Sequence, residues 1–123
     1  MYSQQLLDHF ENPRNVGEIE DADGKGRVTN PACGDIMSLH IRVKGDKIYE
    51  AKFKTYGCPA AIASGSVVTE MLIGKTLEEA LKISHKDIDK ALGGLEPTTI
   101  HGSILAEDAV QTAIQDYKTK NQM

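Results

Sequence analysis

The chain has 123 residues, of which 40% are hydrophobic and 26% are charged, and its formal net charge is −4. These values are typical of a globular protein, so we expect a single domain over residues 1–123 and exclude wholesale disorder. With no run of Lys or Arg and no apolar stretch near the ~20 residues that span a bilayer, we expect neither a nucleic-acid partner nor a membrane. Residues 1–10 lack the basic and apolar regions of a signal peptide, so we expect a cytoplasmic location.

The beginning of the chain predicts a short helix followed by a loop. In residues 3–10, Leu6, Leu7 and Phe10 share one side of a helix that Asn12-Pro13 closes. Residues 14–26 are polar and rich in Gly, Asp and Glu, which predicts a loop.

An antiparallel hairpin is predicted next, because apolar and polar residues alternate in residues 37–43 and 49–54. Residues 44–47 would form its tight turn. A two-residue loop at Gly45-Asp46 would set apolar side chains opposite polar ones, whereas a loop one residue longer keeps one face apolar. We therefore expect these pairs: Leu39 with Phe53, Ile41 with Ala51, and Val43 with Tyr49.

The second half of the chain predicts four helices. Residues 59–73 carry an apolar stripe, and residues 76–82 begin with a capping box of Thr76 and Glu79. Ser84 and Asp87 start a third helix that stops at Gly93-Gly94, and residues 103–117 form the last. The inward positions are Ile62, Val67, Met71 and Leu72 in the first of these helices, and Leu105, Ala109, Ala113, Ile114 and Tyr117 in the last. Strands followed by helices favour an α+β fold, with helices covering one face of a small antiparallel sheet.

Cys33 and Cys58 are the two cysteines of the chain, and either hairpin register places them at the same end of the hairpin. Asp35 lies two residues from Cys33, and Cys58 directly precedes a helix with Pro59 in its first turn. We expect the helix dipole to lower the pKa of the Cys58 thiol and to favour the thiolate, which binds metals. The alternatives are two buried apolar cysteines or a cross-strand disulfide, which is uncommon in the cytosol.

Four histidines are present, and one of them could join the two cysteines. His101 directly precedes the last helix, whose start could point at the same hairpin end. Composition alone leaves His101 either a ligand or an ordinary surface histidine. We expect His9 to be solvated, and we assign no site role to His40 or His85.

Four segments, in order along nearly the whole chain, resemble the IscU/NifU-type iron–sulfur cluster scaffold family. They are residues 8–17 (DHFENPRNVG), 30–35 (NPACGD), 53–58 (FKTYGC) and 103–109 (SILAEDA). The resemblance implies an α+β sandwich with a three-stranded antiparallel sheet, whose remaining strand lies near residues 27–30. It also implies a carrier, not an enzyme. Such a carrier assembles a [2Fe–2S] cluster, sometimes on the way to [4Fe–4S], with sulfur from a cysteine desulfurase, and passes the cluster to apo-proteins.

Residue by residue, the resemblance implies Cys33 and Cys58 as cluster ligands, Asp35 as the carboxylate that keeps the cluster labile, and His101 as the histidine beside the site. Thiolates are the preferred iron–sulfur ligands, whereas imidazole and carboxylate bind less softly and favour release.

Zinc often occupies the same site in isolated members of the family. Tyr2 matches a tyrosine at a dimer contact of some members, so a homodimer is a further expectation, with an exposed tyrosine as the alternative.

Two departures from the family pattern change these expectations. The family's third cysteine, commonly its sulfur acceptor, corresponds to Gly102, which can neither ligate iron nor accept a persulfide. An engineered change, a natural variant and a degenerate paralogue all fit, and solvent, a partner's cysteine or an exogenous thiol would complete the site. Residues 95–99 (LEPTT) retain only the Leu and one Pro of the family's Leu-Pro-Pro-Val-Lys segment, so a dedicated Hsp70-type chaperone is not predicted.

Two other functions remain open on the sequence. The first is a zinc-binding regulatory or structural module, since two thiolates, a carboxylate and an imidazole make a reasonable tetrahedral zinc set. The second is an enzyme with Cys58 as nucleophile and His101 as base, although no oxyanion or substrate-pocket signature accompanies them.

Overall fold

Three antiparallel strands in the order β1-β2-β3 form a sheet that carries helices on one face. The computed structural model describes residues 2–31, 34–94 and 101–121. In chain order the elements are α1 (Gln4–Glu11), β1 (Gly24–Asn30), β2 (Asp35–Lys44), β3 (Lys47–Tyr56), α2 (Pro59–Leu72), α3 (Leu77–Leu81), α4 (His85–Ala91) and α5 (His101–Lys120). The predicted α+β fold with a small three-stranded sheet is confirmed.

The hairpin of β2 and β3 contains a bulge that the sequence pattern did not show. Leu39 pairs with Phe53 and Ile41 pairs with Ala51, as predicted. The predicted pairing of Val43 with Tyr49 is wrong, because the register shifts after Arg42 and Val43 pairs with Ile48. The tight turn and the buried face require registers that differ by one residue, and the bulge satisfies both. Ile48 is consequently buried, whereas Tyr49 is 51% exposed.

Strand β1 begins inside the segment that was predicted to be a loop. A β-carbon on Gly24 would lie 2.4 Å from the carbonyl oxygen of Ala113 in α5, and one on Gly26 would lie 2.7 Å from that of Ala109. These glycines therefore let α5 lie directly on β1. Glycine is a weak strand former, so the pattern of residues 14–26 conceals a strand that tertiary packing requires.

The helices follow their predicted starts closely, although their buried faces differ in two places. Ser3 caps α1, and the capping boxes of α3 and α4 form as predicted. Leu6 is buried in α1 but Leu7 is 37% exposed, which corrects the predicted apolar side. Helix α2 has no single stripe, because nearly every residue from Ala60 to Thr69 is buried. Among the described residues, no helix is both long and apolar enough to cross a membrane.

A buried serine of α2 ties α1 and the following loop to the core. The Ser66 hydroxyl lies 2.7 Å from His9 Nδ1 and accepts a 2.9 Å hydrogen bond from the backbone N–H of Arg14. The Asn15 amide donates a 3.1 Å hydrogen bond to Thr69 Oγ1. His9 is only 9% exposed, so the prediction that it is solvated is wrong. Residues of the first motif segment, 8–17, therefore hold α1 and the loop after it against α2.

Candidate metal centre

Three side chains with different donor atoms meet at one end of the sheet. Asp35 is the first residue of β2, Cys58 is the residue before α2, and His101 is the first residue of α5. One ligand atom from each lies within 4.8 Å of the others. Within the described ranges, no other three Cys, His, Asp or Glu side chains come together in this way. Three elements that are distant in sequence thus supply one candidate site.

The separations of the three donor atoms match the edges of a metal coordination shell. His101 Nε2 lies 3.2 Å from Cys58 Sγ and 3.3 Å from Asp35 Oδ2, and Sγ lies 3.6 Å from Oδ2. Zinc bonds of about 2.3 Å to sulfur and about 2.0 to 2.1 Å to nitrogen and oxygen give tetrahedral edges of roughly 3.3 to 3.6 Å. Two of the three separations fall in this range and the nitrogen–sulfur separation is shorter, so the three residues approximate one face of a tetrahedron around a single divalent ion.

The site is half enclosed. Asp35 is buried at 5% exposure, whereas Cys58 and His101 are partly exposed. Burial raises the pKa of the Cys58 thiol above its usual value, and the nearby Asp35 carboxylate acts in the same direction. The backbone N–H groups of Ala61 and Ala60 in the first turn of α2 lower it, but they do not outweigh burial. The predicted lowering of the Cys58 pKa by the helix is therefore wrong for the metal-free protein, and a metal would displace the thiol proton.

Gly57 leaves open the space that the Asp35 carboxylate occupies. A β-carbon on Gly57 would lie 2.7 Å from Asp35 Cγ and 2.9 and 3.0 Å from its two oxygens. Sequence reasoning missed this role. The only signal in the sequence was a glycine directly before Cys58. The sequence pattern does not tell which side chain occupies the space that this glycine leaves.

The arrangement is suited to holding a metal ion rather than to relaying a proton. In a nucleophile–base–carboxylate relay, the carboxylate binds the imidazole nitrogen that faces away from the nucleophile. Here Cys58 Sγ and Asp35 Oδ2 both lie beside the same nitrogen, Nε2 of His101. Three donors that converge on one point argue against the nucleophile–base alternative.

Some of the candidate residues lie outside the part of the chain that the structure describes. Cys33 lies outside the described residues, as do residues 95–99, so the fourth candidate ligand and the chaperone-type segment remain predictions. His40 lies on β2, where its Nδ1 accepts a 3.0 Å hydrogen bond from the backbone N–H of Ile19, and His85 lies 3.5 Å from Glu107. Neither belongs to the group of Asp35, Cys58 and His101.

Comparisons with known proteins agree with this fold. Residues 1–123 match the family described as NifU-like N terminal domain. The chain is 57% identical over 121 residues to the iron–sulfur cluster assembly scaffold protein IscU 1 of Archaeoglobus fulgidus, covering 98% of this chain and 79% of that protein. It is 54% identical over 125 residues to the iron–sulfur cluster assembly scaffold protein IscU of Escherichia coli K12, covering 98% of this chain and 97% of that protein.

Solved structures share the architecture at lower sequence identity. The N-terminal part of a NifU-like protein from Brucella abortus superimposes with a TM-score of 0.80 at 18% identity, covering 96% of this chain and 94% of that one. A protein from Fervidobacterium islandicum, described as a candidate iron–sulfur cluster scaffold for the SUF system, gives 0.77 at 26% identity, covering 92% and 96%. The chain therefore belongs to the NifU-like N-terminal domain family and is similar over nearly its whole length to IscU scaffold proteins.

Proposed function

We propose that this chain is a scaffold on which iron–sulfur clusters are assembled, with Cys33, Asp35, Cys58 and His101 as its iron ligands. The observation that carries the proposal is the convergence of a thiol, an imidazole and a carboxylate from three separate elements. The names of the IscU relatives support the same function. We take residues 1–123 as one scaffold domain.

The number of donors suits a [2Fe–2S] cargo. Such a cluster has four terminal ligand positions, usually filled by four thiolates. This chain has two cysteines, so its other two protein ligands would be Asp35 and His101. Carboxylate oxygen and imidazole nitrogen are harder donors than sulfur and hold the cluster less firmly. A mixed ligand set is therefore appropriate for a cluster that must be released to apo-proteins.

The compactness of the site implies an order of events. Asp35, Cys58 and His101 lie close enough together to bind one ion, whereas a two-iron cluster divides four terminal ligands between two irons. We infer that a single iron binds first. One of the three residues then moves away from the first iron as the second iron and sulfide arrive.

Sulfur delivery is expected to involve a cysteine desulfurase, but not a protein thiol at residue 102. Gly102 offers no sulfur acceptor, so any persulfide on the scaffold must form on Cys33 or Cys58. Reconstitution with a desulfurase and cysteine should therefore fail in the Cys33→Ala, Cys58→Ala double variant. If the desulfurase loads that variant as well as the parent, neither thiol takes part in sulfur delivery.

Anaerobic reconstitution with iron and sulfide tests the scaffold function. The parent should bind iron and acid-labile sulfide and show visible absorption and Mössbauer spectra of a [2Fe–2S] cluster. Cluster transfer should then appear as the absorption of a holo-ferredoxin when an apo-ferredoxin is added. Cys58→Ala, Cys33→Ala and His101→Ala should each reduce the iron and sulfide bound.

Matched variants outside the site provide the controls. His85→Ala removes a histidine that lies beside Glu107 in another part of the fold, and Glu78→Gln changes an exposed acid of α3. Both should retain the cluster content of the parent. If Cys33→Ala and Cys58→Ala bind as much iron and sulfide as the parent, the scaffold proposal fails.

A zinc-binding module is the second candidate, because the donor separations are close to those of a tetrahedral zinc shell. Metal analysis of protein purified without air separates the two functions. Zinc that stays bound while iron and sulfide are supplied would favour the zinc module. Zinc that is replaced, with a cluster formed in its place, would favour the scaffold.

A further inference from the structure

Strand β1 forms one edge of the sheet, and part of its outer backbone is not paired. The order β1-β2-β3 leaves one side of β1 without a neighbouring strand. The N–H of Lys25 points to this side, where it donates a 2.8 Å hydrogen bond to the carboxylate of Asp116 in α5. Every second residue of a strand faces the same way, so the N–H and C=O groups of Arg27 and Thr29 also point outward. Within the described ranges, no hydrogen bond to these outward groups is present.

Two cavities lie along the boundary between β1 and α5, and the smaller one lies beside the metal centre. The larger has a volume of about 550 Å³ and is lined by polar side chains of β1 and of the second half of α5. The smaller, of about 240 Å³, is lined by Thr29 together with His101 and Ile104 of α5. The next residue of β1, Asn30, pairs with Asp35. The free edge therefore ends beside two of the three donor residues.

The side chains on either side of the edge indicate what kind of segment would fit there. A strand added to β1 would place alternate side chains towards α5 and on the outer face of the sheet. Towards α5, Ile104 is 41% exposed and lines the smaller cavity beside His101. On the outer face Arg27 is exposed, and no acidic side chain among the described residues forms an ion pair with it. An apolar or cysteine side chain suits the first position, and an acidic side chain suits the second.

A second copy of this chain fits the edge less well than a different chain does. If two copies paired antiparallel through Arg27 and Thr29, their Arg27 side chains would lie opposite or diagonal to each other on one face. Like charges in such cross-strand pairs destabilise a sheet. The charge of Arg27 therefore favours a partner that brings an acidic side chain to this position.

We propose that the free edge of β1 docks an extended, cysteine-bearing segment of an apo-acceptor through main-chain hydrogen bonds to Arg27 and Thr29. This inference rests on the proposed scaffold function. A cluster-binding segment lacks its cluster in the apo-protein, so it is free to adopt an extended conformation. Main-chain pairing depends little on the partner's sequence, which suits a scaffold that supplies more than one acceptor.

The docked segment would bring its cysteine to the cavity beside His101, at the end of the edge. There its thiolate replaces one scaffold ligand on iron, and the thiol proton passes to solvent. This exchange of ligands changes no oxidation state, so it requires no further reactant.

Amide hydrogen exchange of the ¹⁵N-labelled chain, alone and with an acidic, plant-type apo-ferredoxin, tests the docking. The amide protons of Arg27 and Thr29 should exchange rapidly in the free chain and at least about tenfold more slowly in the complex, as amides that join a strand ladder do. The amide of Val28, which faces β2, should exchange slowly in both states and serves as the internal control. If a large excess of apo-ferredoxin protects neither outward amide, the proposal is overturned. Slow exchange of both amides in a free chain that is dimeric in solution would also overturn it, in favour of a second copy.

Thr29→Pro removes one outward N–H and leaves the hydrogen bonds between β1 and β2 in place. Proline is accepted at an edge position whose N–H faces solvent. The cluster-loaded variant should pass its cluster to the same apo-ferredoxin roughly 3- to 10-fold more slowly than the parent, the effect of one lost hydrogen bond. Iron removal by a small chelator should keep the parent's rate, because a chelator needs no docking edge. Transfer to apo-ferredoxin at the parent's rate would overturn the proposal.

Arg27→Glu keeps the proposal testable if Thr29→Pro does not fold, because Arg27 is an exposed side chain. This variant should also slow transfer to the acidic apo-ferredoxin. Lys44→Glu is the matched control, since it reverses the charge of an exposed residue at the other end of β2. It should transfer its cluster at nearly the parent's rate. Equal slowing by the two variants would overturn the role of Arg27 as a docking contact.

These measurements separate the docking edge from the proposed function. If the parent forms no cluster but apo-ferredoxin protects the amides of Arg27 and Thr29, the scaffold function is contradicted and the docking edge stands. If the parent forms and transfers a cluster at a rate that Thr29→Pro and Arg27→Glu leave unchanged, only the docking edge is overturned.

Discussion

Gly57 lies so close to Asp35 that a β-carbon at residue 57 would be 2.7 Å from the carboxylate carbon. The buried Asp35 carboxylate can therefore lie beside His101 only because Gly57, directly after β3, has no side chain. Gly57→Ala should displace Asp35 and weaken Zn²⁺ or Co²⁺ binding by about 10- to 100-fold, as loss of an orienting contact commonly does. Competition with a chromophoric chelator measures the change.

A double-variant cycle shows whether Gly57 acts through Asp35. If it does, adding Gly57→Ala to Asp35→Ala should change the affinity by less than about threefold, because the displaced group is already absent. Full additivity of the two losses would contradict the proposed link between these residues.

Metal binding should stabilise the fold through His101. At a free Zn²⁺ concentration of 100 times Kd, ligand linkage adds about 2.7 kcal/mol to the free energy of unfolding. His101→Ala should lose most of this increase, and His85→Ala should keep it, because His85 lies outside the group of three donors. Chemical unfolding with and without Zn²⁺ measures both effects. A full Zn²⁺ effect in His101→Ala would exclude His101 as a ligand.

Two buried serines of α2 should respond oppositely to replacement by alanine. Ser66→Ala removes the partner of both His9 Nδ1 and the Arg14 N–H, and should cost about 1 to 3 kcal/mol. The Ser64 hydroxyl has no hydrogen-bond partner among the described residues, so Ser64→Ala should be neutral or stabilising. Urea unfolding of the two variants measures the difference. Equal losses would contradict the role assigned to Ser66.

Acid should destabilise the protein partly through His9. Burial lowers the pKa of His9 below the usual histidine value of 6.5, Arg14 lowers it further, and Glu70 and Asp8 oppose them. Because the folded pKa lies below the unfolded one, the unfolded state takes up the proton first. This contribution to stability is therefore complete above pH 6.5, decreases as the pH falls, and levels off below the folded pKa.

Unfolding free energies between pH 7.5 and 4.5 test the effect of His9. His9→Gln should make the stability less dependent on pH in this window, even if it lowers the stability itself. His40 contributes with the same sign, because burial and Lys25 lower its pKa, so His9→Gln, His40→Gln should flatten the profile further. An unchanged slope in His9→Gln would contradict the buried neutral imidazole.

The hairpin shows where pattern reading succeeds and where it stops. Alternation of apolar residues predicted the pairing of Leu39 with Phe53, since one sheet face must be buried. The same reasoning placed Tyr49 opposite Val43, which is wrong. A tight turn and a buried face each specify a register, and only the folded hairpin shows that a bulge reconciles them.

The candidate site was predictable in its residue types and less so in its environment. Motif resemblance singled out Asp35, Cys58 and His101, and the structure brings these three together, although their role as ligands stays a prediction. The pKa of the Cys58 thiol is raised, whereas the sequence predicted that it would be lowered. The helix start was visible in the sequence, whereas the burial that outweighs it depends on elements packed around the sulfur.

By itself, the sequence determined the type and approximate bounds of most elements, the donor atoms available and the absence of a third thiol. These properties depend on residue chemistry and on neighbours a few positions away. Only the tertiary structure decided that Cys58 meets Asp35 across 23 residues and His101 across 43, and that Gly57 makes room for the Asp35 carboxylate. Such contacts depend on how whole elements pack, which local patterns do not record.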